Sequence, residues 1–169
     1  MQILLLLYLA HYLGDFPLQT NWIYLQKLKT FKGGIFHALS IFLALILCLL
    51  PFLNNVWIWI TIISITLIHY LQDSAKIMFN EKVEKEVLGY FSDQFIHIVM
   101  TTFFWFIFLK DRSFNPWFDD IFYQNTFIIV FLIGLIWVTS FLEITYYVIK
   151  TAGDNDRDPM QNNLKRVIL

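Results

Sequence analysis

Charge is scarce in this chain of 169 residues: 15% of them are Asp, Glu, Lys or Arg, against about 25% in an average globular protein. What charge there is nearly cancels, 12 Lys and Arg against 13 Asp and Glu, so no basic groove for a nucleic acid can be assembled. Cysteine is limited to Cys48, inside an apolar run, which excludes a disulfide framework and a thiolate zinc site. Glycine and proline number 6 and 4, and no Gly-rich phosphate loop, nucleophile elbow or HExxH sequence is present. A cleaved secretory signal is not expected: no Lys or Arg precedes Lys27 and no small-residue cleavage site closes the first apolar run.

What the chain does have is hydrophobic mass, 58% of the residues with 19% aromatic. It is arranged in long runs rather than in alternation, which points to helices in a bilayer. The reading is an all-α polytopic membrane bundle with about five transmembrane helices, near 2–25, 35–53, 56–79, 91–109 and 124–149. The first is expected to break near Gly14 and Pro17. Residues 1–150 then form one transmembrane domain and 151–169 a cytoplasmic tail. With the N-terminus outside, ten cations fall on the inner side (Lys27, Lys29 and Lys32; Lys76, Lys82 and Lys85; Lys150, Arg157, Lys165 and Arg166) and two, Lys110 and Arg112, outside. That asymmetry is the positive-inside pattern. Trp57, Trp59 and Trp117 are expected at the outer interface, and Trp22, Tyr90, Tyr146 and Tyr147 at the inner one.

Against this apolar background the four histidines stand out. Three pair with an aspartate at a spacing of four: His11 with Asp15, His69 with Asp73, and Asp93 with His97. That spacing puts both side chains on one helix face. His37 opens the second span alone. Counted in helical rise along the assigned spans, all seven fall in the cytoplasmic half, where they could meet in one layer. A lone intramembrane His is commonly a hydrogen-bonded core residue, and a single pair can clamp two helices; three pairs in a chain with four histidines favour a shared site. Its nitrogen and oxygen donors suit a divalent metal, zinc first, then manganese or iron. His11, Asp15, His37, His69, Asp73, Asp93 and His97 are the candidate ligands. Asp15, Asp73 and Asp93 are the candidate catalytic carboxylates. Seven ligands exceed what one tetrahedral zinc needs, so either some act behind the ligands or two metals share the site. Gln19, Gln72 and Gln94, beside the aspartates, are expected to be satisfied hydrogen-bonding partners. Gln19, Gln94, Lys76 and Glu143 are further candidates for orienting a substrate, with snorkelling the simpler role for Lys76.

These motifs resemble a bacterial membrane family catalogued as domain of unknown function 3307. The shared pattern is H-x-x-G-D-F-x-x-Q from His11 through Gly14, Asp15 and Phe16 to Gln19, the lone His37, then His69, Asp73 and Lys76, then Asp93, Gln94 and His97. The resemblance covers about residues 1–110 and implies the bacterial inner membrane. It extends distantly to membrane-bound metal-dependent hydrolases.

The expected activity is a membrane-embedded, metal-dependent hydrolase acting on a lipid or lipid-linked ester or phosphate at the cytoplasmic leaflet. A metal activates water, an unligated Asp serves as general base, and the broken first helix gives an acyl chain lateral entry. Two alternatives stay open: a proton or divalent-cation transporter using the same cluster, and a non-catalytic interaction protein whose polar layer sets helix packing. The expected partners are membrane lipid and a second copy or another membrane protein.

Overall fold

The computed structural model describes residues 1–29, 31–79, 87–118, 121–142 and 145–146, and there is no strand among them. Helix α1 spans Gln2–Asp15, α2 Asn21–Lys29, α3 Phe31–Cys48, α4 Val56–Phe79 and α5 Val87–Phe108. A 3-10 turn at Leu50–Phe52 joins α3 to α4, with Pro51 in its first turn, where a missing N–H costs nothing. Beyond a connection lie the short α6, Ile121–Gln124, and α7, Thr126–Ile136, which runs into a π turn at Trp137–Phe141. The Asn125 side chain caps α7, accepting from the backbone N–H groups of Phe127 and Ile128.

Two helical stretches, Val56–Ala75 and Phe91–Phe108, are long and apolar enough to cross a membrane, whereas the apolar stretches Lys32–Cys48 and Thr126–Phe141 are shorter. Five full-length spans are therefore not what the described residues contain. The expected first span, 2–25, is two helices separated at 16–20, where Pro17 interrupts the backbone ladder. With 14 residues α1 rises only about 21 Å, short of a hydrocarbon core of about 30 Å. The charged connection 81–86, the rest of the expected fifth span and the tail 151–169 lie outside the described residues.

The helix that is weakest as a span is the centre of the fold. Leu6, Leu7, Leu9, Ala10, His11, Tyr12, Gly14 and Asp15 of α1 are all buried, because α3, α5 and α7 pack around it. Ile41, Ala44 and Leu45 of α3 and Ile58 and Ile62 of α4 complete the core. The outward faces are apolar as well: Ile35, Leu39, Leu43 and Leu47 of α3 form an exposed row at a spacing of four, and Ile63, Leu67 and Leu71 of α4 form another. In the crossing-length stretch of α5 only 17% of the residues are buried. These rows form exposed apolar faces of a size that water-soluble monomers rarely carry.

One end of the bundle is closed by aromatic side chains. Trp59 donates to the Leu53 carbonyl at 2.7 Å and Trp117 to that of Leu50 at 2.9 Å, while the Arg112 guanidinium lies 3.7 Å over the Trp57 ring. The tryptophans expected to share an interface do share this end. The opposite end is tightened by two glycines. A methyl group at Gly33 would collide with the backbone of Gln26 and Lys27, and one at Gly14 with the Ile41 side chain, so α2 lies directly on α3 and α1 on α3.

Gly33→Val should therefore force α2 away from α3. Overpacking of this kind costs about 1–3 kcal/mol, and thermal unfolding in detergent should fall by several degrees. Gly134→Ala, where an added methyl meets nothing within 4 Å, should leave the midpoint unchanged or raise it. Equal losses for the two variants would contradict the close α2–α3 contact.

Candidate metal centre

Four helices deliver one polar cluster. α1 contributes His11 and Asp15 from its last turns, α3 contributes His37, α4 His69 and Asp73, and α5 Asp93 and His97. The i, i+4 spacing does in three dimensions what helical periodicity requires: His11 Nε2 lies 3.6 Å from Asp15 Oδ2, His69 Nε2 3.5 Å from Asp73 Oδ2, and His97 Nε2 3.5 Å from Asp93 Oδ1. The pairs also meet each other. His37 Nε2 and His69 Nε2 are 3.0 Å apart, His37 Nε2 lies 3.3 Å from Asp15 Oδ1 and 3.4 Å from Asp73 Oδ2, and His69 Nε2 lies 3.3 Å from Asp15 Oδ1. On the α5 side His97 Nε2 is 3.7 Å from Asp73 Oδ1, and its ring stacks on that of His69 with centroids 4.2 Å apart. All four imidazoles thus turn the same nitrogen, Nε2, into one space.

That space is largely closed to solvent. His11, Asp15, His37, His69, Asp73 and His97 are buried, whereas Asp93 is 18% exposed. His11 Nε2, Asp15 Oδ1 and Asp73 Oδ1 have no hydrogen-bond partner. Buried polar atoms without partners are rare in native structures and cost roughly 1–3 kcal/mol each. They belong to the same cluster, and a bound cation would satisfy them.

The distances carry a metric test. Ligands at about 2.0–2.1 Å from a tetrahedral ion lie about 3.3 Å from each other. Among His37 Nε2, His69 Nε2, Asp15 Oδ1 and Asp73 Oδ2 the five measured separations run from 3.0 to 3.5 Å. Three overlapping groups have ligand atoms all within 4.8 Å of one another: His11, Asp15 and His69; His37, His69 and Asp73; and Asp73, Asp93 and His97. The donor set and its spacing fit a divalent ion.

A cation of the chain's own also reaches the cluster. Lys27 of α2 places its Nζ 2.6 Å from Asp73 Oδ2. The Asp73 carboxylate supplies the counter-charge that this buried ammonium needs. Sequence reasoning had Lys27 as one of several inner-loop cations. The available signal was the Gly33–Gly34 pair, which lets α2 fold back onto α3 and brings the lysine inward.

Gln19, in the connection after α1, Gln72 and Gln94 make no described contact with the cluster. Gln72 and Gln94 were expected to be satisfied, yet each keeps a buried Oε1 without a hydrogen-bond partner; one position along a helix turns a side chain about 100° away from its neighbour's face. The side chain of Lys76, and Glu143 altogether, lie outside the described residues.

A family model described as protein of unknown function (DUF3307) matches residues 3–123. The chain belongs to this family. The DUF3307 match contains all seven cluster residues and Lys27, and it ends before α7. No curated protein and no solved structure matches the chain.

Lys27→Met should strand the Asp73 carboxylate in metal-free DUF3307 protein. Removing one partner of a buried pair costs about 3–5 kcal/mol, read as a lowered denaturation midpoint in chelator-treated detergent samples. The double variant Lys27→Met, Asp73→Asn should recover much of that loss. An unchanged midpoint in the single variant would show that the pair is not buried in solution.

Proposed function

We propose that this DUF3307 protein is a membrane-embedded, metal-dependent hydrolase acting on a lipid or a lipid-linked ester or phosphate. The observation that carries the reading is the set of His37, His69, Asp15 and Asp73, five of whose ligand-atom separations run from 3.0 to 3.5 Å, close to the spacing around a divalent ion. Zinc is the first choice of ion and manganese or iron the next, given nitrogen and carboxylate donors without thiolate.

A bilayer setting is supported by the exposed apolar rows of α3, α4 and α5 around a polar interior. In that setting the N-terminus lies outside and the cluster near the cytoplasmic leaflet of the bacterial inner membrane, as the cation asymmetry directs. α1 and α2 together act as a broken first segment, and the shorter helices complete a five-segment bundle. Lipid is the immediate partner, and a second copy can cover part of the apolar surface.

A bound divalent ion supplies Lewis acidity, polarising the scissile group and acidifying a coordinated water. The chain's residues do the rest. Lys27 fixes a positive charge beside Asp73, suited to hold a phosphoryl or carboxyl oxygen as charge develops. His11, whose Nε2 has no hydrogen-bond partner and lies 3.6 Å from Asp15 Oδ2, is the base that takes the proton of water at that nitrogen, and the Asp15 carboxylate beside it stabilises the resulting imidazolium. This gives the general-base role to His11 instead of an unligated carboxylate. Tyr12, Phe16, Trp137 and Phe141 pack ring against ring alongside α1, a wall that keeps bulk water from the reaction.

Full-length protein purified in detergent should carry stoichiometric metal by elemental analysis and release product from a panel of phospholipids and lipid-linked phosphates. A chelator should abolish turnover and zinc or manganese restore it. His69→Ala should lose both metal and activity; His11→Gln should keep the metal and lose turnover by roughly 100-fold or more. Proton or zinc flux through liposomes without turnover would replace the reading with transport. Metal-free, inactive protein that is merely destabilised by these changes would reduce the cluster to a packing layer.

A further inference from the structure

The ligand atoms divide unevenly about Asp73, and the division decides how many ions the site takes. Asp73 Oδ2 belongs to the tight set with His37, His69 and Asp15. Its other oxygen, Oδ1, lies outside that set; like Oδ2 it has no hydrogen-bond partner, but Oδ2 has the Lys27 ammonium at 2.6 Å, and Asp73 is 2% exposed. Oδ1 meets His97 Nε2 at 3.7 Å, and His97 Nε2 meets Asp93 Oδ1 at 3.5 Å. Neither His97 nor Asp93 is needed by the tight set, and their atoms with that of Asp73 all lie within 4.8 Å of one another.

We infer that the centre is dinuclear and asymmetric, with Asp73 as the bridging carboxylate. One ion sits among His37, His69, Asp15 and Asp73; a second sits among Asp73, Asp93 and His97. The inference rests on the metal reading above and specifies it. The first set offers four protein ligands, which is how closed, tightly holding sites are built; the second offers three, which leaves a coordination position open for water or substrate. A single carboxylate spanning two ions brings them to about 3.5–4 Å, the spacing of two-metal hydrolytic sites. Exposure agrees with this assignment, since Asp93 is the cluster's most accessible member at 18%, so a ligand entering the pocket meets the open side first.

The mirror-image arrangement, with Asp15 as the bridge, lacks ligands. Among the described residues, the ion-pair partner of Asp15 Oδ2 is His11, and the group that contains them borrows His69 from the tight set. Charge balance is met by one ion, and a second changes the character of the pocket. With neutral imidazoles the three carboxylates and Lys27 leave two negative charges in the pocket; one divalent ion brings them to zero and a second makes the pocket cationic, as an anionic lipid headgroup requires.

The test is a metal count with a magnetic readout on the full chain in detergent. Chelator-stripped protein is reloaded with Mn(II), the unbound ion removed by dialysis, and bound manganese measured by elemental analysis alongside electron paramagnetic resonance. The expected result is two ions per chain with an exchange-coupled spectrum. Asp93→Asn and His97→Ala should each retain one ion and show the hyperfine pattern of isolated Mn(II). One ion in the wild-type protein would overturn the dinuclear assignment while leaving metal-dependent hydrolysis standing, and two ions without coupling would overturn the Asp73 bridge. No bound ion at all would remove the metal reading itself. Because the wild-type count and spectrum decide the matter, a variant that fails to fold does not obscure the answer.

Discussion

Two carboxylates buried in an almost wholly apolar helical bundle are the constraint on which the rest of this structure depends. Asp15 and Asp73 expose 7% and 2% of their surface, and an ionised acid at such a site costs several kcal/mol or neutralises unless a counter-charge is within reach. The chain brings one fixed cation, Lys27, at 2.6 Å from Asp73, and arranges four imidazoles around the remaining lone pairs. Much of the local architecture serves that arrangement. α1 stops at Asp15, where Pro17 prevents its continuation and the acid lies at the helix end. Gly14 lets α1 approach Ile41 of α3, and Gly33 lets α2 lie against α3 closely enough for Lys27 to point inward.

The two ends of the bundle consequently have different characters. At the aromatic end, tryptophan indoles cap backbone carbonyls of the 3-10 turn and its flanks, and every polar contact described there is closed: Trp59 to Leu53, Trp117 to Leu50, Tyr123 to Leu47. At the His/Asp end, several buried polar atoms, His11 Nε2 and Asp15 Oδ1 among them, lack a hydrogen-bond partner. Stability is drawn from the first end and from the apolar core around α1; the second spends some of it on groups that are satisfied only when something is bound. Such a local deficit is where function is expected.

The cluster was largely legible in the amino-acid order because its code is local. His11 with Asp15, His69 with Asp73 and Asp93 with His97 each declare a shared helix face through a spacing of four, and α4, at Val56–Phe79, matches its expected limits. What could not be read was set by tertiary packing. An apolar segment of 14 residues looks the same whether lipid or protein surrounds it; here α1 is enclosed by α3, α5 and α7 and becomes an axis, not a span. Lys27 carried no local mark, since its position depends on a close approach between two helices that only the glycines hint at. The amides of Gln72 and Gln94 were misread for a related reason: adjacency to an aspartate in sequence turns a helical side chain away from that aspartate's face.

The bridging role proposed for Asp73 also follows from helix direction. Asp15 closes α1, so the backbone beyond it leaves the cluster; among the described residues its second oxygen faces His11, one turn back. Asp73 instead lies inside a continuous α4 that passes between α3 and α5. Its carboxylate is flanked by His37 on one side and by His97 and Asp93 on the other, and each oxygen finds a different set of donors. A carboxylate in mid-helix between two neighbours can serve both, while one at a helix end serves the neighbour it faces. Asymmetry between a closed and an open half of the centre is thus a consequence of where a helix stops, and Pro17 is the residue that stops it.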